Sequence, residues 1–452
     1  MQLDMPHAHY FSSTYPPIAH LPEVSTWDFL FLKEGTEDQN KDIYLDAITG
    51  ESLKYGELLH LTKALAYAFI HKLGLQMGDR VVLFSRNSLY FPAIVLATQA
   101  AGLVCSPANC LFRSSELAYQ IKDCGAKFVI AGPDQLGIAS VACNECGISP
   151  PLLSEKVKGA HARHSSIWDF VDGNELEPEP LSPDEAKERT SIMCYSSGTS
   201  GRPKGVKTTH YNMTSAILQA MAMTPSSFSP DEVCIATLPL SHVYALFVHI
   251  FAACYTRAKV VVLPQFDLVC LLSTIERYHA TTCHIVPPIA VKLTRDERRG
   301  DFDVSSLREW RSGAAPLGLE LTNILEAEWA VPVHAHYGMT ETTAVIALTD
   351  RGGSEAPFPA VGHLAPNMEG KVQDGELCLK GPNIMLGYHN RPDADGEAFD
   401  DEGYMHTGDL VRVDDDGFVY VVDRTKEVIK FNGYQVAPAG DLQHHFTRHG
   451  IG

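Results

Sequence analysis

Short apolar runs alternate with longer helix-like segments along most of this sequence, and this alternation constrains the fold more than any other feature. Strand-like runs occur at residues 79–87, 103–107, 126–132, 233–238, 258–264 and 281–288. Helix-like segments separate or follow them at residues 89–102, 114–123, 211–222, 243–255 and 267–278. Strands that alternate with helices pair in parallel within a helix-covered sheet, so the pattern predicts an α/β protein.

The chain is longer than one hydrophobic core usually serves, and its character changes near residue 357. Its 452 residues predict two or three subdomains. Near the start, residues 43–70 indicate a β-hairpin that turns at Thr49-Gly50 and then an amphipathic helix. After about residue 357, the segments "GELCLKG" and "GFVYVVD" and the turn Asp415-Asp416-Gly417 indicate a smaller, mostly β segment.

Charge and cysteine content exclude several classes of protein. The formal net charge of −19 disfavours non-specific binding to nucleic acid or to anionic membranes, because both require a cationic face. The eleven cysteines are scattered from Cys105 to Cys378 and do not form a disulfide framework, which indicates a reduced, intracellular protein. Cys143 and Cys146 form a single CxxC without a second pair nearby, so we do not predict a zinc site there.

No segment has the pattern of a signal peptide or a membrane span. The N-terminal residues lack a basic region followed by an apolar one. The most apolar stretch, residues 91–109, is interrupted by Gln99, Gly102 and Pro107. A buried helix that runs into a strand fits this stretch better than a transmembrane helix.

A stretch rich in glycine and hydroxyl groups, "YSSGTSGRPKGVKTTH" at residues 195–210, lies between a strand-like run and a helix. Gly198 and Gly201 allow backbone amides to approach an anion closely, and Lys204 adds positive charge. The hydroxyl donors are Ser196, Ser197, Thr199 and Ser200. The stretch is not a Walker A loop, but it predicts a phosphate-binding loop, with a flexible linker as the alternative.

Six motifs in order resemble the adenylate-forming superfamily, which contains acyl-CoA synthetases, luciferases and peptide-synthetase adenylation domains. The first is "YSSGTSGRPKGV", and the others are "LPLSHVYAL" (238–246), "RSGAAPLG" (311–318), "HYGMTET" (336–342), "HTGDL" (406–410) and "VVDRTKEVIKFNGYQVAP" (421–438). The resemblance covers nearly the whole chain. It is closest to the branch of 4-coumarate–CoA ligase and luciferase.

The resemblance implies a fold and a reaction. The expected body spans residues 1–422, with α/β subdomains to about residue 357 and a β-rich subdomain at 358–422. Its fold class is α/β, with two helix-covered, mostly parallel sheets and a smaller distorted β-barrel. The expected reaction uses ATP and Mg²⁺ to convert an aryl or medium-chain carboxylic acid to an acyl-adenylate, and then transfers the acyl group to coenzyme A.

The resemblance also implies a nucleotide site. The expected ligands of the β- and γ-phosphates are Ser196, Ser197, Gly198, Thr199, Ser200, Gly201 and Lys204. Thr340 would contact the α-phosphate, and Glu341 would hold Mg²⁺. The adenine pocket would be formed by Gly313, Ala314, Ala315, Pro316, His336, Tyr337, Gly338 and Met339, with the Tyr337 ring stacked on the base. Asp409 would accept both ribose hydroxyls, with Arg424 as a second contact.

An acyl pocket is implied by the same resemblance. His242 and Tyr244 would form a gate between this pocket and the coenzyme A tunnel, and His242 counts among the expected catalytic residues. The pocket lining would be Tyr244, Arg311, Ala314, Gly338, Ala344 and Val345. Thr343 and Ala344 replace the Gly and Pro that are frequent in the coumarate branch, which weighs against assigning a hydroxycinnamate substrate. From the residues alone, a helix cap at Thr340-Glu341, a packing role for Tyr337 and a structural His242 remain alternatives.

The C-terminal segment departs from the resemblance. Residues 423–452 would form a hinge at Lys426 and a stub of the C-terminal α+β domain, which we expect to be essentially absent. Lys430 and Gln435 match residues that face the adenylate in the second step and count among the expected catalytic residues. The lysine near the C-terminus of family members has no counterpart here. We therefore expect the rate of adenylate formation to be lower by a factor on the order of 10²–10³.

Two other functions remain open from the sequence. The chain could be a catalytically silent protein that binds a nucleotide or an acyl group, or an adenylation unit that loads a carrier protein. The expected partners are small molecules, namely the acid, ATP and coenzyme A, and we expect a monomer or homodimer. The expected location is the cytoplasm, or the peroxisome if the native C-terminus is missing from this sequence.

Overall fold

The computed structural model of the chain describes residues 8–32, 39–156, 164–196, 202–225, 228–349, 357–424, 429–431 and 434–436. Its strands are β1 (His9–Ser12), β2 (Asp42–Asp46), β3 (Ser52–Lys54), β4 (Arg80–Phe84), β5 (Val104–Pro107), β6 (Phe128–Ala131), β7 (Leu152–Leu153), β8 (Thr190–Ser196), β9 (Lys204–Thr209), β10 (Val233–Ala236), β11 (Lys259–Val262), β12 (Thr282–Ile285), β13 (Glu309–Ser312), β14 (Val333–Tyr337), β15 (Ala347–Leu348), β16 (His363–Leu364), β17 (Glu369–Gln373), β18 (Glu376–Lys380), β19 (Met405–Val413), β20 (Val419–Arg424), β21 (Ile429–Phe431) and β22 (Tyr434–Val436).

The α-helices lie between these strands. They are α1 (Thr26–Phe31), α2 (Tyr55–Tyr67), α3 (Phe91–Ala100), α4 (Ser114–Cys124), α5 (Leu136–Cys146), α6 (Pro183–Glu188), α7 (His210–Met223), α8 (Val243–Leu246), α9 (Ala253–Thr256), α10 (Leu268–Tyr278), α11 (Pro287–Arg295), α12 (Leu319–Trp329) and α13 (Pro392–Ala398). These bounds confirm the predicted alternation of strands and helices within about four residues at most ends.

A six-stranded sheet has the order β7-β6-β4-β5-β8-β9. Its pairs are parallel except for the antiparallel pair of β8 and β9. The four residues Val81, Val82, Leu83 and Phe84 of β4 are all buried, which is why this strand reads as a continuous apolar run. Helices cover both faces of a parallel sheet, so its strands show no alternation of apolar and polar residues.

A nine-stranded sheet has the order β16-β15-β14-β13-β12-β10-β11-β2-β3. The strands from β14 to β2 pair in parallel, and antiparallel strands lie at both edges. Carboxyl ends of parallel strands meet at one edge of a sheet. The segments that follow β13 and β14, which include two of the six motifs, therefore lie next to each other.

The predicted helix at 243–255 is interrupted by a π-helical segment. Residues 247–252 adopt wider π turns between α8 and α9, and all of them are buried. Single π turns inside α-helices are often found at functional sites. This segment carries His249 on a buried surface, a feature that the apolar pattern of the sequence did not predict.

The third sheet is antiparallel, with the order β1-β17-β18-β19-β20. It confirms the mostly β character predicted after residue 357, and the turn at Asp415-Asp416-Gly417 connects β19 and β20 with Gly417 at φ 85°. The N-terminal strand β1 joins this sheet, which the sequence did not predict. Closure into a barrel and the proposed subdomain bounds stay predictions.

The most apolar stretch of the sequence is buried inside the protein, and the cysteines are not paired. Residues 91–109 form the fully buried helix α3 and then β5, as predicted. Within the described ranges, no helix combines the length and apolar character needed to cross a bilayer. Each of the eleven cysteines is a free thiol.

Candidate active site

The two arms of the glycine-rich stretch are held in place by strand pairing. Ser196 ends β8 and Lys204 begins β9, and the two are partners in the antiparallel register. A second segment holds β9 from its other side, because Lys207 exchanges backbone hydrogen bonds of 3.0 Å with residues 386 and 387. Ser197, Gly198, Thr199, Ser200 and Gly201, which were predicted to bind phosphate, lie outside the described residues.

Glu341 connects these arms to the turn after β14. The carboxylate is buried, and Oε1 accepts hydrogen bonds from the Ser196 hydroxyl at 2.7 Å and from the Tyr388 hydroxyl at 2.9 Å. Lys204 Nζ lies 4.4 Å from the centroid of the Tyr388 ring. Burial, and then the charge of Glu341, raises the pKa of Tyr388 well above its usual range, so its hydroxyl remains a donor. A carboxylate and a cation thus lie on either side of one tyrosine at the base of the loop.

The turn after β14 has a conformation that depends on Gly338. A Cβ atom at this position would lie 1.5 Å from the carbonyl oxygen of Ala344, so only glycine fits. Thr340–Thr342 form a 3₁₀ turn, and Thr343 and Ala344 follow with φ of 54° and 78°. Asn383 holds this turn, because its Nδ2 donates to the Thr342 carbonyl at 2.9 Å and its carbonyl accepts from the Thr343 hydroxyl at 2.8 Å.

Tyr337 and Asp409 bring two further motifs together. The Tyr337 hydroxyl donates to Asp409 Oδ2 at 2.8 Å, and both residues are buried. Asp409 lies in an irregular part of β19, where the Asp409 N–H donates to the Thr407 hydroxyl at 3.1 Å. Arg424 is opposite Asp409 in the β19–β20 register, and its side chain lies outside the description. The contact fixes one oxygen of the Asp409 carboxylate against the end of β14.

A buried polar cluster lies beside this contact and joins the remaining two motifs. Arg311 Nη1 donates to His336 Nε2 at 2.8 Å, and Arg311 Nε is paired with Glu309 at 2.9 Å. Because a guanidinium only donates, the ring proton of His336 lies on Nδ1, which faces the Tyr244 hydroxyl at 3.3 Å. Burial lowers the pKa of His336 well below its usual range and keeps the ring neutral. The Tyr244 ring in turn lies against Gly313, where a Cβ atom would be 3.1 Å away.

Two more buried histidines extend this cluster behind Tyr244. The rings of His249 and His284 pack edge to face with centroids 4.9 Å apart, and His284 lies 5.7 Å from the Tyr244 ring. Burial lowers the pKa of His249 to about 3 and that of His284 well below its usual range. Among the described residues, none hydrogen-bonds to a ring nitrogen of either histidine.

The other predicted site residues have the following positions. His242 caps α8, with Nδ1 accepting the Tyr244 backbone N–H at 3.3 Å. Ala314 has a left-handed φ of 63°. Ala315 and Met339 are half-buried, Pro316 is exposed, and Val345 is buried next to Ala344. Lys430 and Gln435 are backbone partners in the β21–β22 hairpin, with side chains outside the description, and Lys426 lies outside the described residues.

Sequence reasoning missed several residues that hold the site. Tyr388 contacts Glu341 and Lys204, and Arg391 Nη2 donates to Asp123 Oδ1 at 2.6 Å beside the arm of the loop. The Tyr195 hydroxyl donates to the other oxygen of Asp123 at 2.7 Å. The local signals were Gly387 and Pro392, which lie on either side of this segment and by themselves indicate only a turn.

The side chains of this site fit a nucleotide and a hard cation. The two hydrogen bonds that described residues donate to the Glu341 carboxylate both end on Oε1, which leaves Oε2 available to a cation that prefers oxygen ligands, such as Mg²⁺. A buried carboxylate such as Asp409 suits a pair of neighbouring hydroxyl groups, because it only accepts hydrogen bonds. The arrangement can therefore bind a polyphosphate with its cation at one end and a sugar at the other.

A family model for the AMP-binding enzyme matches residues 33–389. A probable CoA ligase from Humulus lupulus is 33% identical over 449 residues, which cover 95% of this chain and 80% of that protein. The peroxisomal OPC-8:0-CoA ligase 1 of Arabidopsis thaliana is 32% identical with the same coverage. The 4-coumarate–CoA ligase 1 of the same plant is 31% identical over 459 residues, 95% of this chain and 80% of that protein.

Solved structures agree with these matches. The ATP-bound crystal structure of MatB from Rhodopseudomonas palustris superposes with a TM-score of 0.78 at 28% identity, covering 95% of this chain and 84% of that one. The N-terminal domain of FACL13 from Mycobacterium tuberculosis, with an inhibitor bound, has a TM-score of 0.75 at 24% identity, covering 88% of this chain and 99% of that one. The second likeness concerns the fold alone.

Proposed function

The chain belongs to the family of AMP-binding enzymes, and from this premise we propose that it is an acid–thiol ligase that forms an acyl-adenylate and transfers the acyl group to coenzyme A. The observation that carries the proposal is the pair of buried carboxylates, Glu341 and Asp409, each bonded to a tyrosine hydroxyl. One carboxylate suits a cation bound to phosphates, and the other suits a ribose.

In the first step, a carboxylate oxygen of the acid attacks the α-phosphorus of ATP, and the bond to the pyrophosphate breaks. Two anions approach each other, so neutralisation of charge dominates the barrier. Glu341 would hold Mg²⁺ through Oε2, and Mg²⁺ supplies positive charge to the phosphate oxygens when bound. Lys204, placed at the start of β9 beside Tyr388, adds a second positive charge at the base of the loop.

The nucleoside is bound by residues at the end of β14, in the turn after it and in β19. Asp409 accepts the ribose hydroxyls, and its hydrogen bond from Tyr337 fixes the carboxylate for that task. Thr340 contacts the α-phosphate from the first position of the 3₁₀ turn. Gly338 allows this turn to pass close to Ala344, so the loop presents its backbone to the base.

In the second step, the thiol sulfur of coenzyme A attacks the acyl carbon, and AMP leaves with the electrons of the broken carbon–oxygen bond. His242 caps α8, and Tyr244 lies in its first turn with its hydroxyl next to His336. This position supports a gate between the thiol and the acyl group. Lys430 and Gln435, which match family residues that act in this step, are the further catalytic residues that we propose for it.

Four of the residues expected to line the acyl pocket lie at His336 or on the turn after β14. Tyr244 and Arg311 contact His336, and Ala344 and Val345 lie on the adjoining turn. The relatives include proteins named for two different acids, 4-coumarate and OPC-8:0. We propose an aryl or medium-chain acid on this basis.

Carboxylate-dependent exchange of labelled pyrophosphate into ATP tests the function directly. The panel contains 4-coumarate, cinnamate, octanoate, decanoate and malonate, each with ATP and MgCl₂. We expect exchange with at least one aryl or medium-chain acid, and acyl-CoA on addition of coenzyme A. No heat of binding with ATP and MgCl₂, together with no exchange for any acid, would overturn the proposal.

A further inference from the structure

One cluster of metal-ligating side chains lies on the third sheet, apart from the residues assigned above. Cys378 in β18 and His406 in β19 are direct partners in the antiparallel register, so their side chains lie on the same face. Glu376 precedes Cys378 by two residues and shares that face. Among the described residues, this is the one group of three His, Cys, Asp or Glu side chains whose ligand atoms lie close enough to share a cation.

The distances within the cluster match those of a tetrahedral metal site. His406 Nδ1 lies 3.4 Å from Cys378 Sγ and 3.1 Å from Glu376 Oε2, and the three ligand atoms lie within 4.8 Å of one another. Zinc bonds of about 2.3 Å to sulfur and about 2.0–2.1 Å to nitrogen and oxygen separate tetrahedral ligands by about 3.3–3.6 Å. Small side-chain rotations therefore bring all three atoms into a zinc coordination shell.

Hydrogen bonds to His406 Nδ1 cannot satisfy both of its neighbours in the cluster at once. A neutral imidazole nitrogen carries either one proton or one lone pair. His406 Nδ1 therefore satisfies either the carboxylate of Glu376 or the thiol of Cys378 well, whereas a cation between the three atoms satisfies all of them. The thiol and imidazole ligands select zinc-like metals over Mg²⁺ and Ca²⁺, which prefer oxygen ligands.

The surroundings provide both support and access. Glu376 Oε1 accepts the backbone N–H of Gly408 at 2.8 Å, which orients the carboxylate as outer-shell contacts orient metal ligands. The side chains of His406 and Glu376 are 30% and 24% exposed, whereas Cys378 is buried. A cation can therefore enter from solvent and keep a water molecule as its fourth ligand.

We propose that Glu376, Cys378 and His406 form a binding site for Zn²⁺ or a similar divalent transition metal. The site is next to the irregular part of β19 that carries Asp409, because Glu376 accepts the backbone N–H of Gly408, the residue before Asp409. The thiolate is the form of cysteine that binds metal, so metal binding displaces the thiol proton and weakens as the pH falls.

The test is a titration of the metal-free chain with Co²⁺, which reports a thiolate ligand through a charge-transfer absorption band in the near ultraviolet. We expect this band in the wild type, saturation near one metal per chain, displacement by Zn²⁺, and proton release that calorimetry in different buffers can measure. No band, or a band that Zn²⁺ does not displace, would overturn the proposal.

Matched variants locate the site. Cys378→Ser should abolish the band, and Cys146→Ser, which removes a half-buried thiol of the CxxC pair, should leave it unchanged. Glu376→Gln retains the shape of the side chain and its bond to Gly408, and should weaken affinity by at least the ~10–100-fold that loss of an outer-shell partner costs. A band that persists in Cys378→Ser, or an affinity that Glu376→Gln leaves unchanged, would contradict the assignment.

Discussion

The Ser196 hydroxyl donates a hydrogen bond of 2.7 Å to Oε1 of Glu341, across 145 positions of sequence. This contact joins the end of β8 to the turn after β14, and so connects the six-stranded sheet with the nine-stranded sheet. It places the carboxylate of the "YGMTE" segment at the end of the strand that leads into the glycine-rich stretch.

Replacement of Glu341 by glutamine tests that carboxylate. Glu341→Gln should lower pyrophosphate exchange by on the order of 10²-fold, because the amide retains the hydrogen bonds but removes the charge that holds Mg²⁺. The rate should also require more MgCl₂ for saturation. The matched control is Glu188→Gln on the exposed end of α6, which should leave both quantities unchanged. Exchange at the wild-type rate in Glu341→Gln would contradict the role of this carboxylate.

Replacement of Gly338 tests the conformation of the turn. Gly338→Ala forces a Cβ atom into the Ala344 carbonyl, so we expect the free energy of unfolding to fall by about 3 kcal/mol or more. Gly137 in α5 has no atom within 4 Å of an added Cβ, so Gly137→Ala should keep or slightly raise stability, by up to about 0.5–1 kcal/mol. Urea denaturation measures both. Equal stabilities of the two variants would show that the turn is not as close as described.

The buried His249 should make stability depend on pH. Its pKa is about 3 in the folded chain and about 6.5 in the unfolded chain, so the unfolded state binds more protons between these values. Stability is therefore lost as the pH falls below about 6.5, by up to about 1.4 kcal/mol per pH unit. Between pH 7 and pH 5, the free energy of unfolding of His249→Leu should fall by about 2 kcal/mol less than that of the wild type.

The control for this pH effect is an exposed histidine. His20→Leu should leave the difference between pH 7 and pH 5 unchanged, because its side chain is exposed in the folded state as well. Urea denaturation at the two pH values gives each difference. Parallel profiles of wild type and His249→Leu would contradict burial of a neutral imidazole at this position.

The ion pair of Arg311 and Glu309 should be costly to break from one side. Both side chains are buried, so Arg311→Met removes the guanidinium that neutralises the buried Glu309 carboxylate and should lower stability by about 3–5 kcal/mol. The double variant Arg311→Met/Glu309→Gln contains neither charge and should recover part of that loss. Urea denaturation of the wild type, both single variants and the double variant gives the free energies of unfolding, and these give the coupling energy between the two side chains. Losses that simply add up in the double variant would indicate that the two side chains do not interact.

Much of the fold was predictable because it depends on local pattern. The buried strands β4, β10, β11 and β12 have continuous apolar runs, and the helices between them fix their parallel order. The turn at Asp415-Asp416-Gly417 was predictable because glycine at φ 85° ends a tight turn. In both cases the information lies within a few neighbouring residues.

Other features depend on contacts that no local pattern contains. Strand β1 pairs with β17, more than 350 residues later, so nothing in "HYFS" indicates its sheet. The local sequence does not distinguish Tyr388 from any other tyrosine in a turn, because its role depends on its contacts with Glu341 and Lys204. The buried positions of His249 and His284 follow from the π turns and from the register of β12, which apolar periodicity does not specify.

The central claim is that Asp409 binds the ribose of an adenine nucleotide. The most direct measurement compares the affinities of AMP and 2′-deoxy-AMP by calorimetry, in the wild type and in Asp409→Ala. We expect the wild type to bind AMP about 10-fold or more tightly than 2′-deoxy-AMP, because a hydrogen bond to a charged acceptor contributes about 1.5–3 kcal/mol. We expect Asp409→Ala to bind the two nucleotides equally. Equal affinities in the wild type, or a preference for AMP that survives in Asp409→Ala, would contradict the account.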